Sequence, residues 1–294
     1  MEFRRKVHLC VALALLAAAL GGAWLWQQDI DRRANAAAVA GEAREGGLSL
    51  ALAPAVRNVV VTEARVPGRP LVVIDPGHGG RDPGASGVVG GVRESDLTLL
   101  LARELRARLA ARGRLRIALT RDGDDTLTLD DRASIARRLG ADLFLSIHAD
   151  SANNPQASGA TAYSLSEVAS DQDAARFAAA ENGSERAITS VPDGSVRALL
   201  ADLATRDEMN ASADFASRVV AKANGRWELR PEPHRFASFR VLRGAEAPAV
   251  LFEAGYLSNA DDEARLLDPR QRARVVDSLA DAIEAELAVR SANR

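Results

Sequence analysis

Four residues with metal-binding or acid–base side chains stand where predicted strands end or a predicted helix begins. His78 comes directly after the strand and turn VVIDPG, and His148 ends the apolar run DLFLSI. Glu94 opens a predicted helix, and Glu253 ends the apolar run AVLF. In an open α/β sheet, ligands bind beyond the carboxyl ends of the strands, and the helices that follow those strands begin at the same edge. The topology therefore predicts that these two histidines and two carboxylates converge.

Such a group suits a hydrolytic zinc site. Zinc binds neutral imidazole and carboxylate groups, and hydrolytic sites use three protein ligands and leave a fourth position for water. His78, Glu94 and His148 would supply the three ligands. Glu253 would be the general base that takes a proton from the attacking water. The glycines around His78 would let the backbone turn sharply and would leave room for a substrate.

The same residues also have ordinary structural explanations. A histidine at a strand end is commonly a hydrogen-bonded loop residue, and a glutamate at a helix start commonly interacts with the helix dipole. Glu253 is harder to explain in this way, because an ionisable group that ends an apolar strand is costly to bury without a partner. The pattern alone leaves both explanations open.

Alternating strands and helices predict the scaffold that would position these residues. The predicted strands are LVVID, RIALTR, DLFLSIH, ATAYSL, RFASFRVLR and APAVLFEAGYLSN, and the predicted helices span residues 94–112, 130–139, 171–181, 195–223 and 268–289. This pattern indicates a single α/β domain with a mostly parallel, twisted sheet flanked by helices. Segment 166–234 interrupts the alternation and is interpreted as a helical insertion near the active site.

The N-terminus indicates export. Three basic residues, Arg4, Arg5 and Lys6, precede an uncharged stretch from residue 9 to residue 26, which is typical of a signal peptide or of a signal-anchor. We expect the signal to occupy residues 1–40, a linker to occupy 41–69, and the folded domain to occupy 70–290. Positive charge before the apolar stretch predicts that this domain lies outside the cytoplasmic membrane, with membrane contact only through an uncleaved N-terminal segment.

Composition excludes two classes of protein. The chain of 294 residues has a formal net charge of −2, so it has no basic footprint for nucleic acid. Its single cysteine, Cys10, rules out a disulfide framework.

Four stretches resemble, in order, the motifs of the zinc-dependent N-acetylmuramoyl-L-alanine amidases: DPGHGGRDPGASG, RESD, LFLSIHAD and VLFEAGYLSN. The resemblance covers about residues 71–288 and points to the catalytic domain of the cell-division peptidoglycan amidases. It implies zinc ligands at His78, Glu94 and His148 and catalysis by Glu253. The implied reaction is hydrolysis, in the periplasm, of the peptidoglycan amide bond between N-acetylmuramic acid and L-alanine, for wall remodelling and daughter-cell separation. Many relatives also carry an N-terminal β-rich targeting domain, for which residues 27–69 are too short.

The stretch ASDQDAARFAAAENGSE resembles the helical insertion of the cell-division amidases. The resemblance implies that this helix occludes the site until an envelope activator protein displaces it, and that Glu181 reaches the metal. The alternative is an ordinary solvated helix, because Asp171, Asp173 and Arg176 are charged. Since AARFAAA is rich in alanine, the sequence offers little more than Phe177 as an anchor for the helix.

Three further residues, Arg81, His234 and Asn259, are expected to line the cleft and bind substrate, although His234 could equally be a surface-loop histidine. Two alternative functions remain. Another zinc-dependent cell-wall peptidase or carboxypeptidase would need a basic group to bind a substrate carboxylate, and nothing in the sequence singles one out. A catalytically inactive wall-binding protein would have lost one of the four site residues, but all four are present.

Overall fold

The computed structural model describes residues 59–152, 154–183 and 196–292, and for 196–204 it describes the backbone only. The predicted N-terminal signal and most of the predicted linker lie outside these residues. No helix within the described ranges is both long and apolar enough to cross a membrane.

Seven strands form one mixed sheet. In chain order they are β1 (Val61–Thr62), β2 (Leu71–Pro76), β3 (Arg116–Leu119), β4 (Leu143–His148), β5 (Ala160–Leu165), β6 (Leu229–Ala237) and β7 (Ala249–Glu253). Their order across the sheet is β1-β3-β2-β4-β7-β5-β6. Strands β3, β2, β4 and β7 are parallel to one another, whereas β1 and β5 run antiparallel to their neighbours β3 and β7. The prediction of a mostly parallel sheet is therefore confirmed.

Helices cover both faces of the sheet. They are α1 (Glu94–Arg112), α2 (Leu129–Leu139), α3 (Gln172–Asn182), α4 (Val196–Ala223), α5 (Arg240–Arg243), α6 (Ala260–Leu267) and α7 (Pro269–Ala292). Side chains of β2 alternate between the two faces. Val72 and Ile74 pack into the core beneath α1, α4 and α7, whereas Leu71 and Val73 pack into the core beneath α2, α3 and α5. Burial on both faces explains why the central strands are apolar runs rather than alternating ones.

The structure differs from the predicted elements around the insertion. Strand β6 begins at Leu229, so the segment without strands is shorter than the predicted 166–234. Two prolines, Pro231 and Pro233, lower the strand propensity there, and β6 tolerates them because it is an edge strand. The predicted strand RFASFRVLR stops at Ala237, and its second half forms the short helix α5.

Two small elements were not predicted. The two-residue strand β1 lies inside the predicted linker 41–69 and pairs with β3. Helix α6 begins directly after the predicted final strand APAVLFEAGYLSN, of which only Ala249–Glu253 is strand. Its start is marked by Asn259, whose side chain accepts hydrogen bonds from the backbone N–H groups of Asp261 and Asp262.

Candidate active site

The sheet brings the four predicted residues to one edge. His148 and Glu253 are the last residues of β4 and β7, and they lie opposite each other in the register of that parallel pair. His78 lies two residues beyond β2, the other neighbour of β4, and Glu94 is the first residue of α1. The convergence follows from the parallel direction of these three strands.

Glu94 lies between the two imidazole rings. Its Oε1 atom is 3.2 Å from His78 Nε2 and 3.3 Å from His148 Nδ1. The backbone N–H groups of Ala85 and Ala149 each donate a hydrogen bond of 2.9 Å to its carboxylate. Burial raises the pKa of Glu94, but hydrogen bonds to the two histidines and their charge outweigh burial and hold the pKa well below its usual value.

Neighbouring groups orient His78. Its Nδ1 atom is 2.8 Å from Asp82 Oδ2, and its carbonyl oxygen accepts a hydrogen bond of 2.5 Å from Arg132 Nη2. Such a carboxylate on the far nitrogen is typical of metal-binding histidines, because it fixes the ring and its tautomer.

Two glycines make room for the cluster. A Cβ atom at Gly77 would overlap the imidazole of His148, and one at Gly84 would lie 2.6 Å from Glu94 Oε2. These two glycines of the DPGHGGRDPG motif therefore allow the backbone to approach the site closely.

Helix α3 adds Glu181 to the group. Its carboxylate oxygens lie 3.8 Å from His78 Nε2 and 3.3 Å from His148 Nδ1. One potential metal-ligand atom from each of His78, His148 and Glu181 lies within 4.8 Å of the other two, so this cluster is able to bind a metal ion. His78 Nε2 and His148 Nδ1 are buried, and although both lie within 3.3 Å of Glu94 Oε1, neither makes a hydrogen bond of good geometry within the described residues.

The cluster requires positive charge between its carboxylates. Burial lowers the pKa of His78, but its acidic neighbours outweigh burial and raise this pKa to about 10. The largest of these contributions is the hydrogen bond to Glu94, followed by the charge of Glu94, the charge of Glu181 and the hydrogen bond to Asp82. A proton on the imidazole or a metal cation between the groups would supply that charge. Two buried imidazoles with unpaired nitrogens and an adjacent carboxylate are the donor set that suits zinc.

Glu253 is fully buried beside this cluster. Its Oε2 atom accepts a hydrogen bond of 3.0 Å from the backbone N–H of Asp150, whereas its Oε1 atom has no partner among the described residues. Burial, and then the negative charges of Asp150, Glu94 and Glu181, raise the pKa of Glu253 well above its usual value. Burial is also the main cause that raises the pKa of Asp150 to about 7.

The structure does not bring the three expected cleft residues to this group. Arg81 is exposed, and its backbone N–H donates to Thr126 Oγ1. Asn259 caps α6 and donates to the carbonyl of Pro155. His234 lies between the hydroxyls of Ser164 and Ser217, at 2.9 and 3.2 Å. His234 pairs with Ala162, so strand β5 lies between it and Glu253 on β7.

Sequence reasoning missed three residues that support the site. The sequence could have indicated Asp82 and Asp150, because they stand within the motifs DPGHGGRDPG and SIHAD. Nothing in the sequence indicated Arg132, because its predicted helix contains several other charged residues. In the structure it is buried, and its guanidinium holds Asp75 and the carbonyls of Pro76 and His78.

Comparisons with known proteins show the family of this chain. A family model described as N-acetylmuramoyl-L-alanine amidase matches residues 72–285. N-acetylmuramoyl-L-alanine amidase AmiA of Escherichia coli (strain K12) is 33% identical over 220 residues, which are 74% of this chain and 75% of the relative.

Solved structures show the same fold. The catalytic domain of CwlV, an N-acetylmuramoyl-L-alanine amidase from Bacillus (Paenibacillus) polymyxa var. colistinus, is 29% identical with a TM-score of 0.54, over 75% of this chain and 99% of that domain. The CwlD amidase from Clostridioides difficile, solved in complex with the GerS lipoprotein, is 22% identical with a TM-score of 0.52, over 75% of this chain and 100% of CwlD. The chain therefore belongs to the N-acetylmuramoyl-L-alanine amidase family and hydrolyses the amide bond between N-acetylmuramic acid and L-alanine in peptidoglycan.

Proposed function

We propose that this amidase is zinc-dependent and that His78, Glu94 and His148 hold the ion. The observation that carries the proposal is the pair of buried, unpaired imidazole nitrogens that face the same oxygen of Glu94. Leaving such groups without a partner is costly, and a cation at their meeting point would remove that cost.

Glu253 is the general base in this proposal. Bound zinc would act as a Lewis acid that lowers the pKa of water and polarises the scissile carbonyl. The N–H of Asp150 holds one oxygen of Glu253 and leaves the other free to meet the attacking water. Glu253 would take the proton of that water and deliver it to the leaving nitrogen as the carbon–nitrogen bond breaks.

Metal removal tests this proposal. A chelator should abolish the release of peptide from purified sacculi, and added Zn²⁺ should restore it. His148→Ala should bind zinc at least roughly 10–100-fold more weakly, because it removes a ligand rather than an outer-shell contact. The measurements are metal content by atomic emission and released peptide by mass spectrometry.

His234→Ala is the matched control, because this histidine lies away from the cluster, and the variant should keep its zinc. Full activity of the metal-free chain would contradict the proposal. So would unchanged zinc affinity in His148→Ala.

We further propose that α3 locks the enzyme in an inactive state. The carboxylate of Glu181 reaches both imidazoles, so it would take the position that water needs at the metal. Both ends of α3 are anchored. At the start, Asp171 accepts from the N–H of Ala174 and pairs with Arg235 at 2.9 Å. At the end, Asn182 makes hydrogen bonds of 2.7 and 2.8 Å to the backbone of Ser238 and Arg240.

A lock of this kind requires a partner that releases it. We propose an envelope protein that binds the displaced helix. CwlD, which has the same fold, has been solved with a protein partner, the GerS lipoprotein. An activator would need only to favour the displaced state by about 3 kcal/mol to shift the population roughly a hundredfold.

The remaining expectations concern location and domains. We propose that the basic N-terminus and apolar stretch of residues 1–40 export the chain to the periplasm, where its substrate lies. Residues 70–290 would then be the catalytic domain and 41–69 a linker, apart from the short strand β1. Cleavage of peptidoglycan there would serve wall remodelling and the separation of daughter cells.

A further inference from the structure

A cavity of about 360 Å³ lies between α3 and the catalytic edge of the sheet. Asp150, Tyr163, Arg230 and Tyr256 line it on the side of the sheet, and Asp173 and Phe177 line it on the side of α3. The cavity adjoins the catalytic group, because Asp150 also donates its N–H to Glu253.

Arg230 is the cationic group of this cavity that has no acidic partner. Its Nη1 atom donates a hydrogen bond of 2.6 Å to the hydroxyl of Tyr256, and its guanidinium carbon lies 5.4 Å from the centre of the Tyr256 ring. No carboxylate of the described residues forms a salt bridge with it. By contrast, Arg176, the other arginine that lines the cavity, pairs with Asp173 at 2.6 Å.

Tyr256 holds Arg230 close to the reaction centre. It follows Glu253 by three residues, and its backbone N–H donates to Asp262 Oδ2 at 2.9 Å, which fixes the turn after β7. The phenol hydroxyl and ring face then orient the guanidinium and leave most of its N–H donors free. A half-buried, oriented and unpaired guanidinium is suited to bind a carboxylate by two parallel hydrogen bonds.

We propose that Arg230, positioned by Tyr256, binds a carboxylate of the acidic peptide that begins with the L-alanine released by the reaction. The inference rests on the family's amidase reaction, which leaves a peptide on the nitrogen side of the scissile bond. The peptide would occupy the cavity, and the sugar would extend away from it. Arg230 is thus the basic group that the sequence did not single out.

Asp173 supports this assignment from α3. It lines the same cavity. Burial lowers the pKa of Arg230, but the phenol groups of Tyr256 and Tyr163 and the charge of Asp173 outweigh burial and raise it. In the locked state, α3 therefore presents the carboxylate of Glu181 toward the metal-binding cluster and the carboxylate of Asp173 toward the peptide subsite. Both would compete with substrate.

Direct binding of a product peptide tests the subsite. The probes are the dipeptide L-alanyl-D-glutamate and its diamide, which has the same shape and no carboxylate. By titration calorimetry, the full-length chain should bind the acid roughly tenfold more tightly than the diamide, as expected for a charge-assisted hydrogen bond. Arg230→Gln should lose that preference, and Arg230→Lys should recover part of it because it keeps the charge.

Asp173→Asn and Arg226→Gln complete the design. Asp173→Asn should bind the acid more tightly, because it removes the competing carboxylate. Arg226→Gln is the matched control: Arg226 is also an arginine close to β6, but it pairs with Asp281 at 2.7 Å on α7, so the preference for the acid should persist. Equal binding of acid and diamide by the parent chain would overturn the proposal, as would an unchanged preference in Arg230→Gln. Neither zinc nor turnover is needed, so failure of the zinc mechanism would leave these measurements intact.

Discussion

Two glutamates, Glu94 and Glu253, are fully buried at the same sheet edge, yet their surroundings give them different properties. Glu94 faces two imidazoles and accepts two backbone hydrogen bonds, so it stays ionised and suits a metal ligand. Glu253 accepts one backbone hydrogen bond, and burial, followed by the charges of nearby carboxylates, raises its pKa, so it suits proton transfer. The difference in neighbours, rather than in residue type, supports the two proposed roles.

The variant Glu253→Gln separates these roles. It keeps the shape of the side chain and removes the base, so zinc should remain bound while peptide release falls by about 10²–10⁴-fold. Metal content and turnover on sacculi should be measured on the same preparation. If zinc is lost together with activity, Glu253 is a ligand, and the assignment of Glu94 has to change.

At the scale of elements, α3 is held more firmly than its alanine-rich sequence suggested. Phe177 packs against the rings of Tyr163 and Phe239, with centroids 5.2 and 5.5 Å away. Ala174 and Ala178 are buried beneath the helix. Because small residues let the helix lie close to the sheet, they add contact rather than weaken it. If α3 is the proposed lock, these contacts and its anchored ends would require a specific partner for release.

Two variants should open the lock. Glu181→Ala removes the carboxylate from the cluster, and Asn182→Ala removes two hydrogen bonds that anchor the end of α3, worth about 1 kcal/mol each. Each variant should raise basal peptide release from sacculi without any partner, by roughly tenfold for a loss of about 1.4 kcal/mol in the locked state.

Glu167→Ala is the control for these variants. Glu167 is exposed, and its carboxylate forms an ion pair with Arg243 at 3.5 Å. Its basal activity should match that of the parent chain. If Glu181→Ala and Asn182→Ala are folded and zinc-loaded yet no more active than the parent, α3 is not the lock.

At the scale of the whole molecule, one buried charge ties the central strands to α2. Asp75 of β2 is fully buried and accepts hydrogen bonds from Thr120, Arg132 and Ser146, at 2.6, 2.8 and 2.8 Å. Burial raises the pKa of Asp75, but the charge of Arg132 and these hydrogen bonds outweigh it and hold the pKa below the ordinary value of 3.8. The unfolded chain therefore binds the proton more readily than the folded chain does.

This sign determines how stability depends on pH. The contribution of Asp75 to the free energy of unfolding should be fully present above about pH 3.8 and should be lost as the pH falls through the lower folded-state pKa. Asp75→Asn leaves Arg132 buried without its counter-charge and should cost about 3 kcal/mol or more at neutral pH.

Urea unfolding of the parent and of Asp75→Asn at a series of pH values measures this contribution. The gap between the two chains should stay constant from pH 7 to about 4 and narrow below that. Asp96→Asn is the control: its exposed pair with Arg93 should contribute at most about 1 kcal/mol. A gap that already narrows near pH 6 would contradict the assignment.

The sequence by itself determined that four candidate site residues meet at one edge of the sheet. His78, Glu94, His148 and Glu253 were predictable because each lies next to an apolar strand end or a helix start, and parallel strands place such ends at one edge. The bounds of α1 and β5 were predicted correctly for the same local reason: their periodicity depends on neighbours in the chain.

Only the tertiary structure decided which other side chains meet this edge. Glu181 was expected at the site only from the resemblance of its helix to the insertion of the cell-division amidases, and packing decides that its carboxylate lies beside the two histidines. Arg230 was not expected, because the arginines are too numerous for the sequence to single one out. His234, which was expected in the cleft, lies instead beside Ser164 and Ser217, because the pairing of β6 with β5 places it there. Local patterns determine strands and helices, whereas contacts between distant elements depend on packing that a short motif does not encode.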